Sequence, residues 1–577
     1  MTTPTATPAL ALLTATLLFT AAAPGPAAAD EPASYDLAAA VAEAVAAGRS
    51  ELKVPPGVYR MDAPVVLRKV RGFTLDGTGV TLIRTQPANV FTLNACDDIT
   101  VRGFTIDYDP LPFTQGTVTA VDDQGTFDFE VHAGYPDLGP QTRYHVAYIF
   151  DGRTRLWKQG VADLYGRLEV LDARRGRFDP GVATGAPVEV GDRVSINPRR
   201  SNTFWLGEGS SRITLEGIRV WSCPGAAILG RFAGEGHVIR NLTIERGPRP
   251  AGATEDRLMS TNADAVNYGI SRSALRMEDC DLGFMGDDAL NIHGPVFPVV
   301  KVESATSVLV VRPWGRQKFH LVMRGGEQLR VLAPGTFAPL GRAVFASIEP
   351  VADHGLERAY LFRFLPPFKA RKPDAPHTVY RVTLAEPVTL EVGQSLDHPA
   401  SLGSGFVVRG NHFHDNRPRG LRLQASDGLV EGNRFERIAT AAITVGAEYG
   451  QWGEAGWSEG LVIRGNSFVD IGRGFVVNDT NKAPAAVSVF GSHAGPDEPF
   501  PQGHRGIVIE GNRFERVRPA AVYVYAAKDV VIRGNTVVGS GGEGMADAGR
   551  ALGIGPRGVI DVHPGAAAVV EGNTIQP

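Results

Sequence analysis

The chain is poor in cysteine, with only Cys96, Cys223 and Cys280 in 577 residues. They are widely spaced and form no CxxC or Cys/His pattern, so a zinc site or a disulfide framework is not predicted. One pair could form a disulfide, but small buried hydrophobic side chains are the favoured interpretation. We therefore predict no metal and no cofactor.

An excess of basic charge is also missing. Lys and Arg number 58 against 62 Asp and Glu, for a formal net charge of −4. Nucleic acid and anionic membrane surfaces are therefore not expected as partners. The same near-balance argues mildly against a strongly anionic polymer as substrate.

Long hydrophobic runs are absent after the N-terminus. The apolar segment from Leu10 to Ala23 is short for a membrane span, and Ala27 to Ala29 resemble a cleavage site. The stretch before it has no Lys or Arg, which is atypical. We predict a signal peptide over residues 1–29, cleavage near Ala29 and secretion.

Glycine and proline are plentiful, with 68 and 40 residues, which favours a turn-rich β protein. One six-residue phrase recurs through the first half of the chain. In the last third it becomes a Gly-Asn phrase. The phrases are VRGFTL (Val70–Leu75), VRGFTI (Val101–Ile106), LEGIRV (Leu215–Val220), IRNLTI (Ile239–Ile244) and MEDCDL (Met277–Leu282), and the later asparagines are Asn411, Asn433, Asn466, Asn512, Asn535 and Asn573.

Several intervals between these phrases are 22 to 24 residues, and a longer one of 33 fits one turn of a solenoid with an insertion. This period, with short alternating strands, predicts an all-β, right-handed parallel β-helix. Asparagines at a repeated turn can stack and hydrogen-bond to one another. An alanine-rich helix over Leu37–Ala47, capped by Asp36 and ended by Gly48, would cover the open first rung.

Two stretches lack the phrase and show two-residue alternation instead, which predicts two small antiparallel β-barrel or sandwich domains inserted in rung turns. The second insert should overhang the aspartate-rich stretch that precedes it. The predicted units are the signal peptide, a cap with the first rungs (30–109), the first insert (110–200), site-bearing rungs (201–294), the second insert (295–399) and the C-terminal rungs (400–577).

That aspartate-rich stretch contains two similar strand texts, NADAVN around Asp264 and GDDALN around Asp287 and Asp288. A 24-residue register would align Asp264 with Asp288, and a 23-residue register with Asp287. Both remain open. In either case the three carboxylates lie close together, and the crowding of like charges raises the pKa of one of them. One carboxyl group can then remain protonated as an acid while another is ionised as a base, as glycoside hydrolysis requires. Isolated Asp-Asp pairs elsewhere, at 97–98 and 122–123, are interpreted as solvated turns.

Other polar or aromatic residues are weaker candidates for contacts to a sugar. Glu448 and Trp452 lie in a glycine-rich turn, EYGQWGEAGWSEG, that could form a cleft wall, and Glu448 is also an alternative acid. The substrate-binding candidates are His293, Asn291, Asn267, Asn262, Arg257, Trp452 and Glu448.

NADAVN followed by GDDALNIHG resembles the pattern of glycoside hydrolase family 110, the α-1,3-galactosidases, and the resemblance covers most of the chain after residue 29. That family consists of secreted bacterial enzymes that remove terminal α-galactose, including from blood group B-type glycans. The polygalacturonases of family 28 are more distantly similar, but this chain has NAD where they have NTD and lacks a clear RIK-type motif.

The resemblance implies an inverting exo-glycosidase with Asp287 as general acid, and with Asp264 and Asp288 positioning and deprotonating the water. In inverting glycosidases the two catalytic carboxyl groups are usually about 6.5–9.5 Å apart. The expected partner is a glycan with terminal α-galactose, linear or branched.

Three alternatives remain. A pectic hydrolase would need a basic groove. A calcium-dependent β-helix lyase would need an Arg or Lys base, and the sequence shows no basic cluster beside the aspartates. A non-catalytic glycan-binding solenoid would gain little from crowded carboxylates.

Overall fold

The computed structural model describes residues 35–139, 145–161, 164–181, 187–272, 275–366, 376–450, 452–473, 485–491, 501–541 and 558–577. The predicted signal peptide, 1–29, lies outside the described residues. No helix in these ranges is both long enough and apolar enough to cross a membrane.

The described chain opens with the predicted capping helix, Leu37–Ala46, which is confirmed. Asp36 Oδ1 accepts a hydrogen bond from Ala39 N at 2.9 Å and satisfies one of the free N–H groups of the first turn. Leu37, Val41 and Ala44 are buried against the first strands of the core.

The body of the protein is a parallel β-helix, as predicted. Each rung contributes short strands to three faces, which we call face 1, face 2 and face 3 in chain order. The long strands Arg71–Arg84 and Asp97–Tyr108 span faces 1 and 2.

Face 1 otherwise contains Glu51–Lys53, Ser211–Glu216, Val238–Arg240, Arg276–Glu278, Val407–Arg409, Leu429–Glu431, Val462–Arg464, Val508–Glu510, Val530–Arg533 and Ala568–Glu571. Face 2 contains Gly57–Met61, Arg219–Val220, Thr243–Ile244, Asp281–Gly283, His412–His414, Arg434–Glu436, Ser467–Val469, Arg513–Glu515, Thr536–Val538 and Thr574–Gln576. Face 3 contains Val65–Arg68, Phe91–Asn94, Phe204–Gly207, Ile228–Arg231, Val266–Gly269, Leu290–Ser304, Leu421–Leu423, Ile443–Ala447, Val487–Gly491, Val522–Val524 and Ile560–Val562.

The recurring phrases stack in register, with one exception. Val101 pairs with Leu215, Leu215 with Ile239, and Ile239 with Met277, so four of the five phrases occupy the same place on consecutive rungs. The phrase at Val70–Leu75 differs, because Leu75 pairs with Val101. This phrase therefore lies earlier along the rung than the others, and a register shift follows it between Asp76 and Val80.

The Gly-Asn phrase forms a continuous hydrogen-bonded ladder of buried side chains. Asn433 Oδ1 accepts from both the backbone N (3.0 Å) and Nδ2 (2.9 Å) of Asn411, and the same pair of bonds repeats through Asn466, Asn512, Asn535 and Asn573. The predicted stacking is therefore confirmed. Asn466 and Asn512 are neighbours although they lie 46 residues apart in sequence.

The interior is filled by stacked apolar side chains. Phe413, Phe435, Phe468 and Phe514 form a column on face 2 with ring centroids 4.6–5.0 Å apart. Cys96, Cys223 and Cys280 are buried and unbonded, in agreement with their interpretation as small core residues.

A row of charged side chains ends the face 1 strands and alternates in sign at every rung. We call it the charge ladder: Lys53, Asp76, Arg102, Glu216, Arg240, Glu278, Arg409, Glu431, Arg464, Glu510, Arg533 and Glu571. Glu431, for example, accepts from Arg409 Nε at 2.9 Å and from Arg464 Nε at 2.6 Å.

Two antiparallel units interrupt the rungs. The first is a closed six-stranded barrel of Thr114–Val121, Phe127–Val131, His145–Phe150, Leu164–Val170, Arg175–Asp179 and Arg193–Asn197. The second leaves face 3 through the long strand Leu290–Ser304. It continues through Ser307–Pro313, Gln328–Leu332, Pro339–Pro350, His377–Leu384 and Ser395–Asp397, whose pairings also close into a ring, and it holds the short helices Phe319–Leu321, Arg358–Phe362 and Pro399–Ser401.

Two small pairings complete the structure. Glu454–Ala455 pairs antiparallel with the start of the second insert, and His504–Arg505 pairs in parallel with Ala527–Lys528.

Candidate active site

The register of the two aspartate texts is 24 residues. Asn267 pairs with Asn291 on face 3, and Ala265 N donates to the carbonyl O of Asp288 at 2.9 Å. Asp264 therefore lies directly opposite Asp288, and Asp287 lies one residue earlier. All three precede face 3 strands, at the turn from face 2.

The three carboxylates form one cluster, in which one oxygen of each lies within 4.8 Å of the others. Asp264 and Asp288 are buried, and Asp287 is the most exposed of the three. These closest contacts are shorter than the 6.5–9.5 Å typical of inverting pairs, so inversion stays a prediction.

Asp287 is held by an arginine that follows the first barrel. Arg199 Nη1 donates to Asp287 Oδ2 at 2.6 Å. Burial opposes ionisation of Asp287, but the nearby Arg199, Arg417 and Arg419 outweigh it and lower the pKa of this carboxyl. The three arginines therefore favour the ionised form of Asp287.

Gly286 allows this turn to pack tightly. A Cβ there would lie 2.8 Å from both the Asn262 carbonyl O and the ring of Tyr148. The Gly286 carbonyl O accepts from Arg417 Nη2 at 2.9 Å and from Arg199 Nη2 at 3.2 Å. Two arginines thus fix the backbone immediately before Asp287.

Asp288 is fully engaged by the next rung. Arg419 donates to its two oxygens from Nε at 2.7 Å and from Nη2 at 3.1 Å. Burial raises the pKa of Asp288, and the Arg419 pair counteracts only part of that effect. With both oxygens bound, Asp288 is better placed to shape the local field than to contact a sugar.

Asp264 is the member of the cluster that favours a proton. Burial and the negative charges of Asp287 and Asp288 raise its pKa well above the usual value. Asn267 Nδ2 donates to Asp264 Oδ2 and orients it. The electrostatics thus place the resting proton on Asp264, whereas the resemblance assigns the acid role to Asp287.

Beyond the carboxylates, face 3 carries buried polar atoms that lack a hydrogen-bond partner among the described residues. Asn267, Asn291 and Arg422 form an outward-facing row on successive rungs. The atoms of this row without a hydrogen-bond partner include Asn267 Oδ1, Asn291 Oδ1 and Arg422 Nε. Arg422 Nη2, and His293 Nε2 in the next row, also lack a hydrogen bond but lie at ion-pair distance from glutamates. Unpaired buried polar atoms are costly, so these atoms are candidates for hydrogen bonds to water or to a polar ligand.

The glycine-rich turn lies beside this row. Arg422 Nη2 lies 3.5 Å from Glu448 Oε1 and 3.4 Å from Glu454 Oε2, and His293 Nε2 lies 3.6 Å from Glu454 Oε1. Trp452 is half-buried in the same turn, where its N donates to the Glu448 carbonyl O at 3.3 Å.

Two weaker candidates have structural partners instead. Arg257 makes a buried bidentate ion pair with Asp107, at 2.7 and 2.8 Å, so its terminal nitrogens are occupied and a sugar contact is not supported. Asn262 Nδ2 donates to the Pro112 carbonyl O at 2.8 Å and anchors the start of the first insert, whereas its Oδ1 has no hydrogen-bond partner among the described residues.

The expectation that the second insert overhangs the aspartates stays a prediction. Contacts to the Asp287 turn come from the first barrel and its exit, through Tyr148 and Arg199, and from Asn416 and Arg417 on the rung after the second insert. The second insert contacts the glycine-rich turn, where Arg312 Nη1 donates to the Gly453 carbonyl O at 3.3 Å.

Sequence reasoning missed the basic residues of the site. The inference that no basic cluster lies beside the aspartates is wrong, because Arg199, Arg417 and Arg419 surround them. These arginines lie 88 to 131 residues from their partners in sequence. Buried carboxylates need compensating cations, which is the only signal that could have prompted a search for them.

Comparison with known proteins agrees with this geometry. The chain is 24% identical over 522 residues to α-1,3-galactosidase B of Phocaeicola vulgatus, covering 82% of this chain and 79% of the relative. It is 21% identical over 507 residues to α-1,3-galactosidase A of Streptomyces avermitilis, covering 82% and 75%. No family model matches.

Among solved structures, an exopolygalacturonase of Thermotoga maritima is similar at 10% identity and a TM-score of 0.38, with 93% of this chain and 86% of that chain covered. The resemblance predicted from the two aspartate texts is confirmed: over about four fifths of its length, this chain is a relative of proteins named α-1,3-galactosidase.

Proposed function

We propose that the protein is a secreted exo-glycosidase that removes terminal α-1,3-linked galactose from glycans with inversion of the anomeric centre. The observation that carries the proposal is the cluster of Asp264, Asp287 and Asp288 beside a row of unpaired polar atoms. The named relatives supply the sugar and the linkage.

The proton at rest belongs to Asp264, and the more exposed Asp287 is the group that substrate can reach. We assign the acid role to Asp287, which takes this shared proton when substrate enters and passes it to the glycosidic oxygen. Asp264 is then ionised and accepts the proton of the attacking water. Asp288, fixed by Arg419, helps to orient that water.

Pairing of most arginines near the cluster supports a neutral sugar over a uronic acid. Arg199 and Arg419 face carboxylates and Arg422 lies beside two glutamates. Arg417 differs, because its guanidinium faces the Gly286 carbonyl O, which carries no formal charge. A pectic polymer would need unneutralised basic groups to hold its carboxylates.

The direct test is release of galactose from an α-1,3-linked galactoside, with the first-formed anomer followed by proton NMR. Inversion gives β-galactose first, and the α-anomer first would contradict it. Binding without turnover, unchanged by Asp287→Asn, would favour the glycan-binding alternative. For secretion, the mature extracellular protein should begin near Asp30.

A further inference from the structure

A second cluster of ligating side chains lies on face 2, outside the carboxylate site. Asp281 and His412 are directly opposed on neighbouring strands, and Gly283 opposes His414. Asp281 Oδ1 lies 3.2 Å from His412 Nδ1 and 3.1 Å from His414 Nε2. One ligand atom from each residue lies within 4.8 Å of the others.

The spacing fits a tetrahedral metal. Zinc bonds of 2.0–2.1 Å to histidine and carboxylate imply ligand atoms about 3.3 Å apart, close to both observed contacts. The two histidines alternate with the buried Phe413, so they project from the same outer side of the strand. Asp281 is exposed, which leaves the fourth position open to solvent.

The far nitrogens of both rings face carboxylates. His414 Nδ1 lies 2.8 Å from Asp415 Oδ2, and His412 Nε2 lies 3.4 Å from Glu436 Oε2. Carboxylates in this position orient metal-binding histidines and fix the tautomer. In the metal-free protein, His412 Nδ1 and His414 Nε2 are at hydrogen-bond distance from Asp281 Oδ1. A bound cation takes the place of the protons in these contacts, which are released to solvent.

We propose that Asp281, His412 and His414 bind one divalent transition-metal ion of the zinc type as a structural clamp. The clamp joins the rungs that precede and follow the second insert. It also fixes Asp415, from which the chain continues through Asn416, Arg417 and Arg419. Asn416 donates to the Asp287 carbonyl O at 3.0 Å. The metal therefore steadies the turn that holds the carboxylates and takes no part in the chemistry.

The test uses the full-length protein after removal of metal by a chelator and dialysis. Titration with Zn²⁺ in a calorimeter should show one equivalent bound and a rise in the thermal unfolding midpoint. Co²⁺ should give the intense visible absorption of a tetrahedral N/O site. His412→Gln and His414→Gln should each weaken binding beyond the roughly 10–100-fold typical of changes to supporting residues.

Two controls keep the result specific. His320→Gln, at an exposed histidine of the second insert, should bind like the wild type. Asp264→Asn should also bind, which separates this site from the carboxylate cluster. Absence of stoichiometric binding by the wild type, or loss of binding in Asp264→Asn but not in His412→Gln, would overturn the proposal. Circular dichroism confirms folding of each variant.

Discussion

Asp264 and Asp288 lie directly opposite each other on consecutive rungs, with Ala265 N donating to the Asp288 carbonyl O at 2.9 Å. Their side chains nevertheless have different environments. Asp288 is bound at both oxygens by Arg419. Asp264 has only an amide donor, and burial together with the two neighbouring acids raises its pKa. Stacking identical residues thus produces inequivalent acids.

The first prediction separates the acid from the base. Asp287→Asn and Asp264→Asn should each reduce galactose release from a natural disaccharide by at least about 100-fold, the lower end of an acid–base contribution. On an aryl galactoside whose leaving group needs no proton, Asp287→Asn should recover more activity than Asp264→Asn. The opposite order would assign the acid role to Asp264. Initial rates on the two substrates provide the measurement.

The second prediction concerns Arg199. Arg199→Met removes the cation beside Asp287, so the pKa of Asp287 should rise by about 1–3 units. Because Asp287 must be protonated to act, the alkaline limb of the pH–rate profile should move to higher pH. Movement of the acid limb alone would instead identify Asp287 as a base. Arg199→Lys, which keeps the charge, should shift the limb less, and Arg513→Met on exposed face 2 should leave it unchanged.

The third prediction concerns the asparagine ladder. Asn466→Ala removes the acceptor of Asn433 N and Nδ2 and leaves a buried backbone donor unpaired. The expected loss is about 2–3 kcal/mol, which thermal unfolding would register as a lower midpoint. Asn573→Ala is the matched control at the half-buried last step of the ladder, and its effect should be smaller. Equal effects at the two positions would argue against this account.

The fourth prediction concerns acid sensitivity. Burial lowers the pKa of His504 to about 4. Its Nδ1 accepts from Ser458 N at 2.9 Å and its Nε2 donates to the Phe490 carbonyl O at 2.8 Å, so the ring is neutral. The unfolded chain binds this proton below about pH 6.5, and the folded chain does so only near pH 4.

Stability should therefore be retained above about pH 6.5 and fall as the pH approaches 4, by up to about 3 kcal/mol from this residue. His504→Gln should flatten the dependence of the unfolding midpoint on pH over that range. The substitution should not abolish the pH dependence of the unfolding midpoint, because buried His237 and His398 have similarly lowered pKa values. An unchanged slope would contradict the assignment.

The sequence predicts this fold well wherever neighbouring rungs are also neighbours in the chain. NADAVN and GDDALN share enough text to suggest their alignment, and the asparagines reveal their own stacking. Where an insertion intervenes, the period is lost. Asn466 and Asn512 are adjacent although they lie 46 residues apart in sequence, and Arg419 joins Asp288 across the whole second insert.

The arginines of the site lie beyond sequence reasoning for the same reason. The sequence period predicts pairing between rungs that are close in sequence. It does not predict which residues lie beside the site when the chain re-enters the β-helix after an insert. Arg257 shows the converse error, since its nearness to Asp264 in sequence suggested a shared site, whereas its guanidinium is committed to Asp107.

The charge ladder constrains how this solenoid can change length. Exposed ion pairs contribute little net stability, but like charges placed in opposition are unfavourable. Duplication or deletion of a single rung would set two arginines or two acidic residues side by side at the junction, whereas adding or removing two rungs preserves the alternation. We therefore expect rungs to be gained or lost in pairs, because only an even change in rung number keeps opposite charges adjacent along the charge ladder.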